Sequence, residues 1–289
     1  MVDKSFAQKR LSDEETHRRL RVFRPPPEGF DPLKATKRQL TTYGLPHPPD
    51  GKRQPRLAAL WRRYLADQLE FVAPEVEIDR SFVRMGGFLG EHGYEGRPPQ
   101  DHPLFSFDKR FVSRPKDADV LVSIRRLSAQ TSNVWSGAYA NQPPAEPYNN
   151  IFATFTVPFA QPPPSAWNGT TWNDGMYQAV TWIGLDGWNG PDVMQAGVLS
   201  RVTVDKGALS PTYYAWAEFF PTPWITVPNF SVSPGDLIAL NVCAPFTTTH
   251  GAAIFANKTT GQATTFGFDA PTRTVLTGVV AEWVVESRK

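Results

Sequence analysis

The chain has 289 residues, 40% of them hydrophobic, which is enough for a substantial core in one large domain or two smaller ones. Its 28 prolines and 21 glycines argue against long uninterrupted helices, whereas 19 phenylalanines and nine tryptophans favour strands. The single cysteine, Cys243, excludes an intrachain disulfide and is expected to be a small buried hydrophobe. No apolar run has the length of a membrane span, so we expect no membrane association. No signal-peptide pattern is visible near the N-terminus, which leaves the compartment unassigned.

The charge is unevenly distributed along the chain. Residues 1–128 contain 24 Lys and Arg against 18 Asp and Glu, and residues 129–289 contain 6 against 10. The basic residues are interspersed with acids and accompany no nucleic-acid-binding motif, so we expect no nucleic acid partner. Electrostatic attraction between the basic region and the acidic half of the same chain is the more plausible use of this asymmetry.

The N-terminal part of the chain predicts a tail followed by helices. Residues 1–30 are charged and end in a run of three prolines, which predicts a disordered or partly helical tail. Residues 31–76 predict a small helical unit with a short helix that ends near Gly44. A second helix of about five turns is expected over residues 54–72, where apolar residues recur at helical spacing.

From residue 77 onward the pattern changes to strands. Residues 77–127 contain short strand-like runs, which are expected to belong to the same sheets. After Gln130, nine runs of strand character are separated by turn residues, with almost no helical pattern. This organisation predicts an antiparallel β-sandwich over residues 77–289.

Polar and aromatic side chains are expected to share one face of this sandwich. Alternation places Trp182 and Asp186 on one side of their strand, because successive side chains point to opposite faces. Glutamine is a poor choice for packing alone, since its amide needs hydrogen-bond partners, yet Gln195 lies between apolar neighbours. The same alternation joins Tyr214, Trp216 and Glu218 on another strand, and Glu282 and Glu286 on the last one. For any single one of these residues, a core or solvated role is the simpler interpretation.

Other catalytic arrangements find little support in the sequence. The five histidines, His17, His47, His92, His102 and His250, lack the spacing of metal ligands, so no metal or other cofactor is expected. Cys243 has no histidine near it in sequence to act as its base.

Seven segments resemble the glutamic peptidases, or eqolisins (peptidase family G1), a family that includes the acid proteases of filamentous fungi. The similarity extends from about residue 132 to 286. The segments occur in the family's order: SNVWSGAY (132–139), FATFTVP (152–158), TWIGLDG (181–187), MQAG (194–197), YAWAEFFP (214–221), SPGD (233–236) and AEWVVE (281–286).

The resemblance implies a fold, an activity and a set of site residues. The implied fold is a mainly β, concanavalin-like antiparallel sandwich (jelly roll), here with a small helical, basic N-terminal extension. The implied activity is endopeptidase cleavage of proteins at acid pH by a monomer. The implied catalytic pair is Gln195 and Glu286, with Glu282 as the fallback for the glutamate. The implied substrate-binding residues are Trp135, Gly137, Trp182, Asp186, Gly197, Trp216, Glu218 and Glu282.

The residue types suit this chemistry. An ionised Glu286 would take a proton from an attacking water, and the Gln195 amide would donate to the developing oxyanion. A carboxyl group with a reference pKa of about 4.3 suits acid conditions. The resemblance also implies that the basic N-terminal part is a propeptide or an integral cap.

Three features depart from the family. Tyr214 occupies a position where the fungal enzymes have an acid, and the sequence ends three residues after Glu286. The export signal of the family, whose members are typically secreted, is not visible here. We therefore expect strands from residues 77–127 to complete the sandwich. A catalytically weak or inactive module that binds carbohydrate or peptide is the alternative. A glycosidase that uses two of Glu218, Glu282 and Glu286 is a third reading, and it would need carboxyl groups about 5 Å or 6.5–9.5 Å apart.

Overall fold

The computed structural model describes residues 11–66, 69–80, 135–141, 147–188, 192–244, 249–272 and 274–288. The described helices are α1 (Asp13–Arg19), α2 (Lys37–Thr42) and α3 (Pro55–Leu65), with a short 3-10 helix at Pro164–Ala166. No described helix is both long and apolar enough to cross a membrane. The described strands are β1 (Leu20–Val22), β2 (Glu70–Phe71), β3 (Glu77–Asp79), β4 (Trp135–Asn141), β5 (Asn150–Thr156), β6 (Gly175–Asp186), β7 (Val193–Asp205), β8 (Ala208–Phe219), β9 (Trp224–Thr226), β10 (Leu237–Cys243), β11 (His250–Asn257), β12 (Gln262–Asp269) and β13 (Val280–Arg288).

The described strands form two sheets, as expected for a β-sandwich. The front sheet has the order β3-β9-β8-β7-β6-β13-β4, and all its pairs are antiparallel. The back sheet has the order β1-β12-β11-β10-β5, and β2 adds to β12 as a short parallel strand. The nine strand-like runs predicted after Gln130 all correspond to strands of these sheets.

The main core lies between the two sheets and is built by strand alternation. Ile183 and Ala196 point inward from the front sheet, where they belong to the same buried cluster as Leu240 and Phe255 of the back sheet. Because alternate residues face opposite ways, the residues next to these inward ones along the chain form the outer face of the front sheet. Gln195 and Trp182 are therefore on that outer face.

A tight turn sets the register of the front sheet. The hairpin between β7 and β8 is closed by Lys206 and Gly207, whose φ angles of 50° and 80° are both positive. Two such residues in succession are typical of the type I′ turn, whose twist matches that of the flanking strands. The register fixed by this turn pairs Gln195 with Glu218.

Residues 11–30 of the predicted disordered or partly helical tail contain the helix α1 and an edge strand of the back sheet. After α1, Leu20–Val22 pairs with Phe266–Phe268 as an edge strand of the back sheet. Arg19 donates to the carbonyl of Ala270, and Arg21 forms a salt bridge with Asp269. Composition predicted disorder because the segment is rich in charge, but these charges have specific partners more than 200 residues away in sequence. Residues 1–10 lie outside the described residues.

The two helices predicted within residues 31–76 are present, and they pack on the outer side of the back sheet. Leu40, Trp61 and Leu65 form a buried cluster with back-sheet residues that include Ala239 and Ile254. Cys243 is buried, as expected, and this burial raises the pKa of its thiol to about 12. The predicted five-turn helix is shorter: α3 ends at Leu65, and Glu70–Phe71 pairs with β12 instead.

Part of the segment 77–127 joins the sandwich. Glu77–Asp79 pairs with Trp224–Thr226 as the edge strand of the front sheet. The remaining strand-like runs predicted over residues 81–127 lie outside the described residues. The N-terminal region therefore contributes β1 and β2 to one sheet and β3 to the other.

Candidate active site

The outer face of the front sheet brings together the polar residues that the sequence singled out. We call this surface the site face and define it by three rows of register partners that cross the sheet. The first row is Tyr139, Glu282, Gly184, Gln195 and Glu218. The second row is Gly137, Val284, Trp182, Gly197 and Trp216, and the third is Trp135, Glu286, Val180, Leu199 and Tyr214. Strand alternation had predicted most of these positions from sequence.

Gln195 and Glu218 form a short polar contact on the site face. The Gln195 side-chain nitrogen donates to a carboxylate oxygen of Glu218 at 2.6 Å, and the two side chains are 2% and 0% exposed. A hydrogen bond to a carboxylate is stronger than one between neutral groups. Because the carboxylate only accepts hydrogen bonds, it fixes which end of the Gln195 amide points toward it.

Glu286 is held from the neighbouring strand. The indole nitrogen of Trp182 donates to Glu286 Oε2 at 3.2 Å, and both side chains are buried. Trp182 lies on β6 between Gly184, which pairs with Gln195, and Val180, which pairs with Glu286. The tryptophan thus separates the two rows that carry the predicted catalytic pair.

Glu282 takes a different position from Glu286. It pairs with Gly184, the register partner of Gln195, so a glycine strand position lies between the two side chains. Its side chain is also fully buried. The site face therefore carries three buried carboxyl groups: Glu218 and Glu282 share the row of Gln195, and Glu286 lies two rows away.

Aromatic rings pack beside these groups. Trp182 meets Trp135 edge to face, with ring centroids 5.2 Å apart, and Trp216 stacks on Trp224 at 3.6 Å. The edge-to-face geometry of Trp182 and Trp135 is favoured by the quadrupoles of the rings. Trp216 Nε1 is buried and has no hydrogen-bond partner in the part of the chain that the structure describes. A buried donor of this kind calls for an acceptor from outside.

The two predicted glycines lie where neighbouring strands come close. A Cβ atom on Gly197 would lie 2.1 Å from the carbonyl oxygen of Thr181, and one on Gly137 would lie 2.1 Å from that of Trp283. Any larger residue would force the strands apart. The close approach of the neighbouring strands therefore explains why glycine occupies both positions.

Asp186 lies on the site face at the end of β6, but its carboxylate is directed to a loop. It accepts from the backbone N–H groups of residues 277–280 and from the Thr277 hydroxyl, at distances between 2.6 and 3.4 Å. Its own backbone is in the left-handed region, with φ 61°. Asp186 thus binds the segment that leads into β13, which carries Glu282 and Glu286.

Two features of the site face were missed in the sequence. Trp224 belongs to β9, a three-residue strand flanked by prolines that gave no alternation signal. Arg201 and Gln178 form a further row beyond Glu286, where the Arg201 Nε donates to the Gln178 side-chain oxygen at 3.2 Å. Strand alternation, which places Gln195 and Gly197 on one side, also places Arg201 there, so it could have predicted this residue from the sequence.

Comparison with known proteins connects this arrangement to a family. A sequence model of the Peptidase A4 family matches residues 133–289. Aspergillopepsin-2 of Aspergillus niger is 28% identical over 182 residues, which are 59% of this chain and 61% of that protein. Scytalidopepsin B of Scytalidium lignicola is 28% identical over 165 residues, which are 56% of this chain and 55% of that protein. The chain thus spans less than two thirds of the length of both relatives.

Solved structures give a weaker match over a similar part of the chain. The crystal structure of scytalido-glutamic peptidase with a transition state analog inhibitor aligns at 27% identity and a TM-score of 0.41, over 53% of this chain and 64% of that one. Aspergilloglutamic peptidase from Aspergillus niger aligns at 32% identity and a TM-score of 0.34, over 39% of this chain and 64% of that one.

Proposed function

Because the chain belongs to the Peptidase A4 family, we propose that it is an endopeptidase that hydrolyses peptide bonds of proteins in acid through Gln195 and Glu286. The observation that supports this pair is that each side chain is buried on the site face and oriented by a hydrogen bond, Gln195 to Glu218 and Glu286 from Trp182. The family membership does not favour the alternative of a non-catalytic module. The substrate is a protein or peptide, and the proposed enzyme is a monomer.

Glu286 is the general base in this proposal. Water attacks the scissile carbonyl carbon, and one of its protons passes to the Glu286 carboxylate. When the tetrahedral intermediate collapses, the bond from carbon to nitrogen breaks and the same proton moves from Glu286 to the leaving amine. The Trp182 N–H, bound to Oε2, keeps the carboxylate in one orientation through both transfers.

Gln195 stabilises the oxyanion. Its NH₂ group has two hydrogens, and the contact with Glu218 uses one of them. The second remains for the negative oxygen that develops on the substrate carbonyl. A preorganised side-chain donor of this kind typically contributes about 3 kcal/mol to transition-state stabilisation, because it needs no reorganisation in a site shielded from water.

The test is casein cleavage from pH 2 to 7 by the wild-type protein and four variants. We expect Gln195→Ala to lower kcat by about 100-fold or more, and Glu286→Gln to abolish measurable cleavage because the amide cannot take the proton. Glu282→Gln tests the fallback base, which shares the row of Gln195. It should retain more activity than Glu286→Gln, and the reverse order would assign the general base to Glu282.

Glu77→Gln is the matched control. It makes the same chemical change on an exposed residue of the same sheet and should leave cleavage unaltered. Wild-type cleavage by either Gln195→Ala or Glu286→Gln would refute the assignment of the pair. Absence of cleavage by the wild-type protein at every pH would refute the peptidase activity itself.

A further inference from the structure

Arg201 is a basic residue of the site face whose position suggests a role in substrate selection. Arg201 lies on β7 on the same face as Gln195, three pairs of residues further along the strand. Its register partner on β6 is Gln178, and the adjacent row towards the catalytic pair contains Val180, the partner of Glu286. Arg201 is therefore one row beyond the proposed general base.

The hydrogen-bonding capacity of Arg201 is largely unused. A guanidinium group has five N–H donors, and the Nε of Arg201 donates to the Gln178 side chain at 3.2 Å. Its Nη2 atom is buried and has no hydrogen-bond partner within the described residues, and no salt bridge of Arg201 is found there either. A shielded positive charge is costly without an anion, so the site is suited to one.

None of the described acids placed on the same face is a register neighbour of Arg201 with free oxygens. Asp186 binds the 277–280 loop, Glu218 binds Gln195, and Glu286 accepts from Trp182. Glu282 lies three rows away, and Asp205 is exposed two rows away in the other direction. The anion that completes Arg201 is thus expected from the substrate. The planar guanidinium fits a carboxylate with two parallel hydrogen bonds, which makes a peptide carboxylate the best chemical match.

We propose that Arg201 is a specificity-determining residue that binds a carboxylate of the peptide substrate, close to the scissile bond. One row of the sheet is two residues of a strand, about 6.6 Å, which is also the length of two residues of an extended peptide. Arg201 lies one row from Glu286 and three rows from Gln195, and both of these residues act on the scissile bond in the proposed mechanism. The carboxylate therefore belongs to an Asp or Glu side chain between about two and six residues from the cleaved bond, or to a substrate C-terminus within that range. This inference rests on the proposed endopeptidase activity and adds its selectivity.

The test compares matched peptides with the wild-type protein and Arg201→Met. Each peptide carries Glu or Gln at one position, scanned from about six residues before to about six residues after the scissile bond. A second pair has a free or an amidated C-terminus and separates the two sources of carboxylate. At pH 5, in the wild-type protein, we expect Glu at one position, or the free C-terminus, to raise kcat/KM about tenfold over its neutral counterpart. In Arg201→Met we expect the charged and the neutral peptide to have about the same kcat/KM.

The pH dependence provides a second readout. The Glu side chain of the peptide has a reference pKa of about 4.3, so its advantage over Gln should be present at pH 5 and lost at pH 3. The ratio of the two peptides cancels any effect of pH on catalysis itself. Arg201→Lys keeps the charge without the two-point geometry and should keep only part of the preference.

Arg62→Met, a change of the same kind on an exposed residue of α3, should retain the full preference. Equal Glu preference in wild-type and Arg201→Met proteins, or a loss of cleavage of the Gln peptides in Arg201→Met, would overturn the inference. If the wild-type protein cuts the Gln peptides without any preference for a carboxylate, only this inference fails. If it cuts none of the peptides, the endopeptidase activity fails with it.

Discussion

At the scale of single residues, the contact between Glu218 and Gln195 makes Glu218 an orienting residue. Gln195 acts as an oxyanion donor only if its nitrogen, and not its oxygen, is directed to the substrate. Glu218 imposes that choice because a carboxylate accepts hydrogen bonds, and it accepts one from Gln195 at 2.6 Å. Without this anchor, the amide is free to rotate and to present the wrong end.

We therefore expect Glu218→Ala to lower kcat by about 10- to 100-fold with little change in KM, because misplaced catalytic groups cost rates of this order. Glu218→Gln keeps an oxygen that can accept from Gln195 and should lose less activity. Peptide kinetics at several pH values measure both effects, and thermal unfolding checks the fold. A purely structural role for Glu218 is indicated if kcat falls only in proportion to the folded fraction.

Arg201 and Tyr214 show how far single residues can be read from sequence. Alternation alone predicts the side of the sheet to which Arg201 belongs, since it lies an even number of positions from Gln195 along the same strand. Whether its donors find partners depends on the register with β6, which brings in Gln178 from 23 positions away. Tyr214 was singled out because it replaces an acid, and the structure pairs it with Leu199, an apolar neighbour. The surroundings of both residues depend on pairing between strands, which the sequence does not specify locally.

At the scale of elements, Asp186 connects the end of β6 to the start of β13. Four backbone N–H groups and one hydroxyl of residues 277–280 donate to its two oxygens. The strand that follows carries Glu282 and Glu286, so this carboxylate holds the acids of the site in place. The sequence predicted that Asp186 lies on the site face, whereas its partners belong to a loop that shows no strand pattern.

Replacement of Asp186 should thus destabilise the fold. We expect Asp186→Ala to lower the free energy of unfolding by about 2–4 kcal/mol, because buried donors lose a charged acceptor and because alanine is strained at positive φ. Asp186→Asn keeps one acceptor oxygen and tolerates the left-handed backbone, so it should lose about half as much. Urea unfolding at neutral pH measures both.

Asp174→Ala is the control, since Asp174 is exposed, and it should change stability by less than about 0.5 kcal/mol. A value for Asp186→Ala close to that of the control would mean that the loop holds β13 without the carboxylate.

The elements themselves were predictable to different degrees. The nine strand runs after Gln130 are long enough for alternation or apolar runs to show. Short strands such as Leu20–Val22 and Trp224–Thr226 have three residues each, too few for a period to appear. They exist because partner strands offer free edges. For the same reason, the helical pattern over residues 54–72 is interrupted after Leu65, and Glu70–Phe71 pairs with β12.

At the scale of the whole molecule, segments of residues 11–66 and 69–80 are built into the sandwich. Strands β1 and β2 extend the back sheet on β12, and β3 extends the front sheet on β9. Side chains add to this pairing: the Tyr64 hydroxyl donates to the carbonyl of Ile254 at 2.8 Å, and Thr265 donates to that of Tyr43 at 2.9 Å. We therefore propose that the described N-terminal residues are an integral cap of the domain and not a detachable propeptide, the two roles that the resemblance implied.

This integration predicts that a cut in the chain will not release the N-terminal part. A recognition sequence for a specific protease is inserted between Gln100 and Asp101, and the purified protein is cut at neutral pH. We expect the two fragments to elute together in native size-exclusion chromatography and to separate only in denaturant, because three strand pairings and a buried helical cluster connect them. Trp61→Ala removes a buried side chain from that cluster, at a cost of about 3–5 kcal/mol, and should let the cut fragments separate more readily. An N-terminal fragment that elutes alone from the cut wild-type protein would instead identify this region as a propeptide that dissociates after cleavage.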